Sequence, residues 1–186
     1  TLLQHLIAAP SFSKEEEGVA SIIADFFEKH GVHTDRKGNN IWVKNKSFDF
    51  LKPTVLLNSH HDTVRPNSGY TRDPFKPEIH ESKLYGLGSN DAGGPLVSLI
   101  ATFLHFYNRK DLKYNLIMAA TAEEEISGTG GVESIWSSLP AISFAIVGEP
   151  TLCQMATAEK RLMVLDCLAN GKPGHAAREE GINAIY

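Results

Sequence analysis

An apolar segment that ends abruptly in metal-binding residue types is the strongest constraint in this sequence. Residues 54–59 have the composition of a buried strand, and the run stops at His60-His61-Asp62. Open α/β sheets place their chemistry at the carboxyl ends of such strands. Because side chains alternate along an extended chain, His60 and Asp62 are expected on one face and His61 on the other. A carboxylate so placed can hold the second ring nitrogen of a ligand histidine, although alone the motif is more often a plain polar cluster.

Two further strand-like segments end in the same kind of residue. Residues 114–120 are followed by three consecutive glutamates, 123–125, and residues 142–147 are followed closely by Glu149. A short acidic run is usually a solvated loop, but three carboxylates at a strand end repel one another strongly if they are buried without a cation. Since all three predicted strands finish in imidazole or carboxylate groups, the pattern predicts a centre that holds two metal ions.

A glycine-dense loop with a single carboxylate lies between the first two of these strands. Residues 86–95 contain Asp91 among four glycines and lead into an apolar helical pattern that begins at Leu96. Such a loop could cradle a phosphate, but the spacing is neither G-x-G-x-x-G nor G-x-x-x-x-G-K-[ST], and the charge of Asp91 would repel a phosphate. A loop whose backbone passes close to a metal ion and supplies one carboxylate fits these residues better.

Composition and charge limit the classes of partner. The 186 residues carry a formal charge of −4, and the 18 lysines and arginines are scattered without a basic run, which argues against a nucleic-acid surface. No apolar run approaches the roughly 20 residues that span a bilayer. The spacing of Cys153 and Cys167 does not fit a zinc ribbon, and we expect reduced thiols and no disulfide bond. The sequence therefore favours a cytoplasmic protein with small-molecule partners, no nucleic acid and no membrane.

Two helices are predicted near the start of the chain. The first nine residues have a helical pattern that Pro10 ends. Residues 13–16, Ser-Lys-Glu-Glu, have the form of a capping box, and apolar residues then recur at helical spacing up to His30-Gly31. We expect this box to open an amphipathic helix, with the acidic residues 15–17 stabilised by the helix dipole.

Taken in order, these motifs resemble the dinuclear zinc deacylase and exopeptidase family, and most of all its acetylornithine deacetylase branch. The family also includes succinyl-diaminopimelate desuccinylase, aminoacylase and glutamate carboxypeptidase. The matching elements are, in chain order, His60-x-Asp62, the loop with Asp91, Glu123-Glu124-Glu125, Gly148-Glu149-Pro150-Thr151, Glu159-Lys160, Gly174-His175 and Gly181-x-Asn183-Ala184. Leu87 and the Ala92-Gly93 pair depart from the family pattern, which usually has arginine and Met-Lys at these positions.

The resemblance implies an α/β fold, with a mostly parallel or mixed sheet flanked by helices and a site at the strand carboxyl ends. Residues 1–159 would form the N-terminal part of the catalytic domain, and residues 160–186 would begin an α+β lid and dimerisation domain with a first strand at 161–169. In the family, the second zinc takes a histidine from far downstream. We therefore expect this chain to be the N-terminal portion of a longer protein that works as a homodimer.

The resemblance also implies a role for each site residue. Four residues would hold two metal ions, zinc or alternatively cobalt, with His60 and Glu149 on one ion, Glu125 on the other and Asp91 bridging both. Asp62 would orient the His60 ring, and Glu124 would act as the general base. His175 would help to hold the tetrahedral oxyanion in the site of the partner subunit. The peptide bond that follows Asp91 is expected to be cis.

The implied reaction is hydrolysis of the amide bond of an N-acyl amino acid in arginine biosynthesis. The substrate would be acetylornithine or a close relative such as succinylornithine or acetylcitrulline. A metallo-exopeptidase that acts on dipeptides or tripeptides would use the same residues. A catalytically silent metal-binding or dimerisation scaffold is an alternative of another class, but Glu124 counts against it because a scaffold needs no base. Since Asp91 and Glu125 alone would serve the second metal, the 186 residues by themselves are expected to bind about one zinc and to be inactive.

Overall fold

The computed structural model describes residues 1–158, 167–174 and 181–182. The chain divides into two compact units, residues 1–153 and 154–186. In the second unit Lys172 and Ile182 form an isolated antiparallel bridge, with the Lys172 N–H donating to the Ile182 carbonyl at 2.9 Å. Most of the predicted lid strand at 161–169 lies outside the described residues, so the predicted domain boundary after residue 159 stays a prediction.

The first unit contains four α-helices and seven strands. The helices are α1 (Leu2–Ala8), α2 (Glu17–Lys29), α3 (Gly94–Phe106) and α4 (Val132–Ile135). The strands are β1 (Asp35–Lys37), β2 (Asn40–Lys44), β3 (Thr54–His60), β4 (Glu78–His80), β5 (Lys83–Tyr85), β6 (Asn115–Thr121) and β7 (Phe144–Val147). A single turn of π-helix, Ser89–Gly93, precedes α3, and a 3₁₀ turn, Trp136–Ser138, follows α4.

Five of the strands form one mixed sheet in the order β1-β2-β6-β3-β7. Strand β3 pairs in parallel with β6 and β7, whereas β2 pairs antiparallel with β1 and β6. The remaining strands, β4 and β5, form a separate antiparallel hairpin. The mixed sheet with flanking helices confirms the predicted fold class.

The sheet is buried on both faces because its inner strands carry apolar residues in succession. Every residue of β6 is buried. One face, with Leu57, Met118 and Ala120, packs against apolar side chains of α1, α2 and α3. The other face carries the alternate residues Leu56 and Ile117 and packs against α4. The two-residue period of the strands thus divides one apolar sequence between two cores.

The start of α2 differs from the prediction. The helix begins at Glu17 rather than at the predicted capping box, and its end at Lys29 agrees with the prediction. Ser13 Oγ does not cap the helix, because it donates instead to Asp62 Oδ2 at 2.7 Å. Glu16 is fully buried and accepts hydrogen bonds from segments outside the helix. The capping-box prediction was wrong because both of its polar side chains bind distant partners.

Among the described residues, no helix combines the length and the apolar character needed to cross a membrane. Cys153 and Cys167 are both free, as the sequence predicted, and both are exposed.

Replacement of Phe103 by alanine should be strongly destabilising. The ring is fully buried in the core beneath α3 and meets Phe27 edge to face, with centroids 6.0 Å apart. We expect Phe103→Ala to lower the free energy of unfolding by about 3–5 kcal/mol, measured by urea denaturation. Phe50→Ala makes the same change at a side chain that is 86% exposed and should cost less than about 0.5 kcal/mol. Equal losses for the two variants would contradict the assigned core.

Candidate metal centre

Three parallel strands bring their carboxyl ends to one edge of the sheet. His60, the last residue of β3, is in register with Thr121, the last residue of β6. On the other side, the Gly148 N–H donates to the Asn58 carbonyl at 2.8 Å directly after β7. The segments that leave the three strands therefore lie side by side, and each of them carries candidate metal ligands.

His60 lies at the centre of the group. Its side chain is almost completely buried, and Nδ1 lies 3.0 Å from the Asp62 carbonyl oxygen and 3.3 Å from Asp62 Oδ1. On the other edge of the ring, Nε2 lies 3.1 Å from Asp91 Oδ1, 3.8 Å from Glu124 Oε2 and 3.9 Å from Glu149 Oε2. With Nδ1 held by Asp62, the Nε2 nitrogen is the one that faces the carboxylates.

Asp62 connects His60 to the acidic turn, residues 122–125. Its fully buried carboxylate accepts from Ser13 Oγ at 2.7 Å, from the Glu124 N–H at 3.0 Å and from the Glu125 N–H at 3.1 Å. Burial alone would raise the pKa of Asp62, but these hydrogen bonds and the one to His60 hold it below its ordinary value. Asp62 is therefore ionised and has donors on all sides.

His61 points away from this group, as the strand geometry predicted. Its Nε2 lies 3.0 Å from the Asn39 carbonyl oxygen, which makes Nε2 the protonated nitrogen. Burial lowers the pKa of His61 to about 4, so the ring is neutral. His61 therefore supports the loop between β1 and β2 and does not face the carboxylates.

Asp91 is presented by the π turn that precedes α3. The Gly93 N–H donates to the Gly88 carbonyl at 2.9 Å and closes the turn, and the Asp91–Ala92 peptide bond is cis, as predicted. Gly88 has a φ of 69°, and a Cβ added there would lie only 2.6 Å from Thr63 Cγ2. Glycine is required at this position because residues with a side chain rarely adopt this φ and because a Cβ would clash with Thr63.

The donor set fits a divalent metal ion. His60, Asp91 and Glu125 each offer one ligand atom, and these three atoms lie within 4.8 Å of one another. Burial, followed by the charge of Asp91, raises the pKa of Glu125 above its ordinary value. Burial and the charges of its carboxylate neighbours also raise the pKa of Glu149. One imidazole among several crowded carboxylates is a set that suits zinc or a similar cation, which would relieve their repulsion.

The predicted site residues that the structure describes all lie close together. His60, Asp62, Asp91, Glu124, Glu125 and Glu149 come together, whereas His175 lies outside the described residues. Their roles as ligands or as a base stay predictions. Sequence reasoning missed the contributions of Ser13 and Glu16, which it assigned to a helix cap.

Comparison with known proteins identifies the family. Residues 56–173, more than half of the chain, match the model of peptidase family M20/M25/M40. The chain belongs to this family. M20 members are hydrolases, and acetylornithine deacetylase of Shigella sonnei (strain Ss046) is 33% identical to this M20 chain over 195 residues. That alignment covers 97% of this chain and 50% of the relative, so the chain spans about half the length of the curated relative it matches.

Solved structures of M20 proteins share the fold. An M20 family metallo-carboxypeptidase from Sulfolobus solfataricus superposes with a TM-score of 0.65 at 24% identity, over 78% of this chain and 36% of that one. A di-peptidase from Saccharomyces cerevisiae superposes with a TM-score of 0.60 at 22% identity, over 80% of this chain and 37% of that one. At these identities the likeness establishes the M20 fold alone.

Metal uptake should release a proton from His60. Burial alone would lower the pKa of His60, but the hydrogen bond and charge of Asp62 and the charges of Glu149 and Glu124 raise it from 6.5 to about 9 in the metal-free protein. A histidine ligand must be neutral, so zinc binding at pH 7.5 should release about one proton per His60. Apparent affinity should rise with pH and level off above about pH 9.

Isothermal titration calorimetry in buffers of different ionisation enthalpy measures this proton. His60→Ala should abolish the release together with most of the binding, whereas His33→Gln changes an exposed histidine and should leave both unchanged. Binding with no proton released at pH 7.5 would show that His60 is already neutral in the metal-free protein.

Proposed function

We propose that this chain provides half of the catalytic machinery of a zinc-dependent amidohydrolase that cleaves N-acyl amino acids. One observation carries the proposal: His60 Nε2 faces the carboxylates of Asp91, Glu124 and Glu149 at 3.1–3.9 Å, at the edge where three strands end. A scaffold that only binds a metal would not need a carboxylate beyond the ligands at this position. Membership of a hydrolase family supports the same conclusion.

Four side chains would hold two zinc ions, or alternatively cobalt: His60, Asp91, Glu125 and Glu149. When bound, the metal would polarise the substrate carbonyl and lower the pKa of a water molecule. Asp62 would keep the His60 ring oriented through Nδ1, since its Oδ1 lies 3.3 Å from that nitrogen. Its two hydrogen bonds to the Glu124 and Glu125 N–H groups would hold the acidic turn in the same arrangement.

Glu124 would be the general base. Its side chain is 56% exposed, and its carboxylate is 3.8 Å from His60 Nε2, so it can reach both the ligands and an incoming substrate. Glu124 would take a proton from the attacking water as the water oxygen bonds to the acyl carbon. It would then give that proton to the leaving nitrogen as the C–N bond breaks. The products are a carboxylic acid and an amine, and transfer of the acid proton to the amine leaves a carboxylate and an ammonium group.

The proposed substrate is acetylornithine or a close relative, in arginine biosynthesis in the cytoplasm. The 33% identity to an acetylornithine deacetylase favours this choice over a peptide substrate. An exopeptidase acting on dipeptides or tripeptides is the second candidate, because structures of the same fold include a di-peptidase. A homodimer in which His175 contributes to the partner's site is part of the proposal, by resemblance to the family.

Glu124→Gln should separate catalysis from metal binding. Loss of the base should lower kcat for acetylornithine by roughly 10²–10⁴-fold while most of the zinc remains bound, because Glu124 is assigned no ligand role. Both quantities are measured on the full-length protein, by steady-state kinetics and by metal analysis. Glu133→Gln makes the same change at an exposed residue of α4 and should alter neither. Simultaneous loss of zinc in Glu124→Gln would make Glu124 a ligand instead.

A substrate panel should separate the two candidate activities. We expect kcat/KM for acetylornithine, succinylornithine or acetylcitrulline to exceed that for any dipeptide or tripeptide by at least about 10-fold, a difference of about 1.4 kcal/mol in transition-state binding. The measurement uses the zinc-loaded protein as its gene encodes it, with chelator-treated protein as the blank. A dipeptide at the top of the panel would establish the exopeptidase, and no turnover of any amide would contradict both.

A further inference from the structure

Four successive backbone N–H groups of the acidic turn are each bound by a side chain from outside the turn. The bonds are, in chain order, Ala122 to Asn40 Oδ1 (3.0 Å), Glu123 to Glu16 Oε1 (3.2 Å), Glu124 to Asp62 Oδ1 (3.0 Å) and Glu125 to Asp62 Oδ2 (3.1 Å). Such a run leaves little freedom to the backbone that carries Glu124. Three acceptor residues from three separate segments therefore fix the direction in which the turn presents its carboxylates.

Of the two carboxylate acceptors, Glu16 is the one that the proposed reaction does not use. Its side chain is fully buried, and among the described residues every hydrogen bond that its carboxylate accepts comes from an N–H group. Oε1 accepts from the backbone of Lys14 at 2.7 Å and of Glu123 at 3.2 Å, and Oε2 accepts from Asn39 Nδ2 at 2.8 Å. Glu16 thus joins its own N-terminal loop, the loop between β1 and β2 and the acidic turn.

The helix does not account for this carboxylate. Glu16 occupies the N-cap position of α2, but its side chain makes no capping hydrogen bond to the helix. A buried charge costs free energy that an apolar residue of similar size would not cost, so packing alone favours replacement. The reason for a carboxylate at this position must therefore lie in the groups that it binds.

Glu16 holds two residues in an unfavourable backbone conformation. Lys14 has a φ of 75° and Glu123 has a φ of 56°, a region that residues other than glycine seldom adopt. Both N–H groups donate to the same oxygen, Oε1 of Glu16. Because Glu123 directly precedes Glu124, the hydrogen bond that the Glu123 N–H donates to Glu16 Oε1 restrains the backbone from which the Glu124 side chain leaves the turn.

We propose that Glu16 is a positioning residue for Glu124. This inference rests on the proposed function, in which Glu124 is the base. Within the part of the chain that the structure describes, Glu16 makes no hydrogen bond to a candidate metal ligand, and its complete burial keeps it away from a substrate. It acts by keeping Glu123 in the left-handed conformation, which aims the Glu124 carboxylate at the space beside His60.

The test is Glu16→Ala in the zinc-loaded protein as its gene encodes it. Loss of the acceptor should let the turn relax, and a displacement of about 1 Å at the base should lower kcat by roughly 10–100-fold. KM and zinc content should change by less than about twofold, because the ligands and the substrate contacts remain. Glu17→Ala makes the same substitution at the next residue, which is exposed, and should leave kcat unchanged.

A compensating pair keeps the test decisive if Glu16→Ala does not fold. Asn39→Asp removes the donor and places a second carboxylate against Oε2 of Glu16, so it should lower kcat without unfolding this half-buried loop. Adding Glu16→Gln supplies an amide that can donate to the introduced carboxylate, while the amide oxygen still accepts both backbone N–H groups. The double variant should recover kcat to within about threefold of the unsubstituted protein.

Hydrogen exchange distinguishes positioning from general destabilisation. In Glu16→Ala, and in Asn39→Asp, the amides of residues 122–125 should exchange faster while those of β3 and β6 keep their rates. Faster exchange throughout the sheet would assign Glu16 a structural role and overturn the proposal. Undiminished kcat in these variants would overturn it as well, with the proposed function intact. No hydrolysis by the unsubstituted protein would overturn the proposed function itself, and this inference with it.

Discussion

The fold and the candidate site both depend on the buried carboxylate of Asp62. It lies just beyond the end of β3 and accepts from Ser13, His60 and two backbone N–H groups of the acidic turn. A carboxylate buried without such donors would cost several kcal/mol, so the four donors must be in place together. Because these donors come from three separate segments, the N-terminal loop, the strand end and the turn form as one unit. The His60 ring is oriented by this arrangement, because Asp62 Oδ1 lies 3.3 Å from its Nδ1.

The same edge of the sheet gathers charges that oppose folding. Burial and neighbouring charges raise the pKa of Glu125 and of Glu149, which means that the metal-free fold holds these carboxylates together against their repulsion. The buried strands β3 and β6 supply the stability that tolerates this repulsion. A divalent cation would turn the repulsion into attraction, so metal binding and folding are coupled at this edge. Repelling carboxylates such as Glu125 and Glu149 can be held together only by a core that draws its stability from other contacts.

Sequence patterns were informative where the structure is periodic and where strands end. The apolar runs predicted β3, β6 and β7, and parallel pairing then brings the polar residues behind them together. The end of α2 was also predictable, because Gly31, with a φ of 70°, suits a helix terminus. The role of Ser13 was not, since a hydroxyl can cap a nearby helix or bind a carboxylate 49 positions away with equal chemistry. Which partner wins depends on the tertiary arrangement, and local sequence carries no signal of it.

The environment of each carboxylate separates those that support the site from those that can react. Asp62 and Glu16 are fully buried, and each accepts several N–H or O–H donors, so their charge is already neutralised by dipoles. Asp91 and Glu124 have side chains that are 56% exposed, and within the described residues their carboxylates accept no backbone N–H group. Their charge is available to a cation or a proton. Two pairs of acidic residues of similar chemistry thus have different uses because the fold gives donors to one pair and leaves the other open.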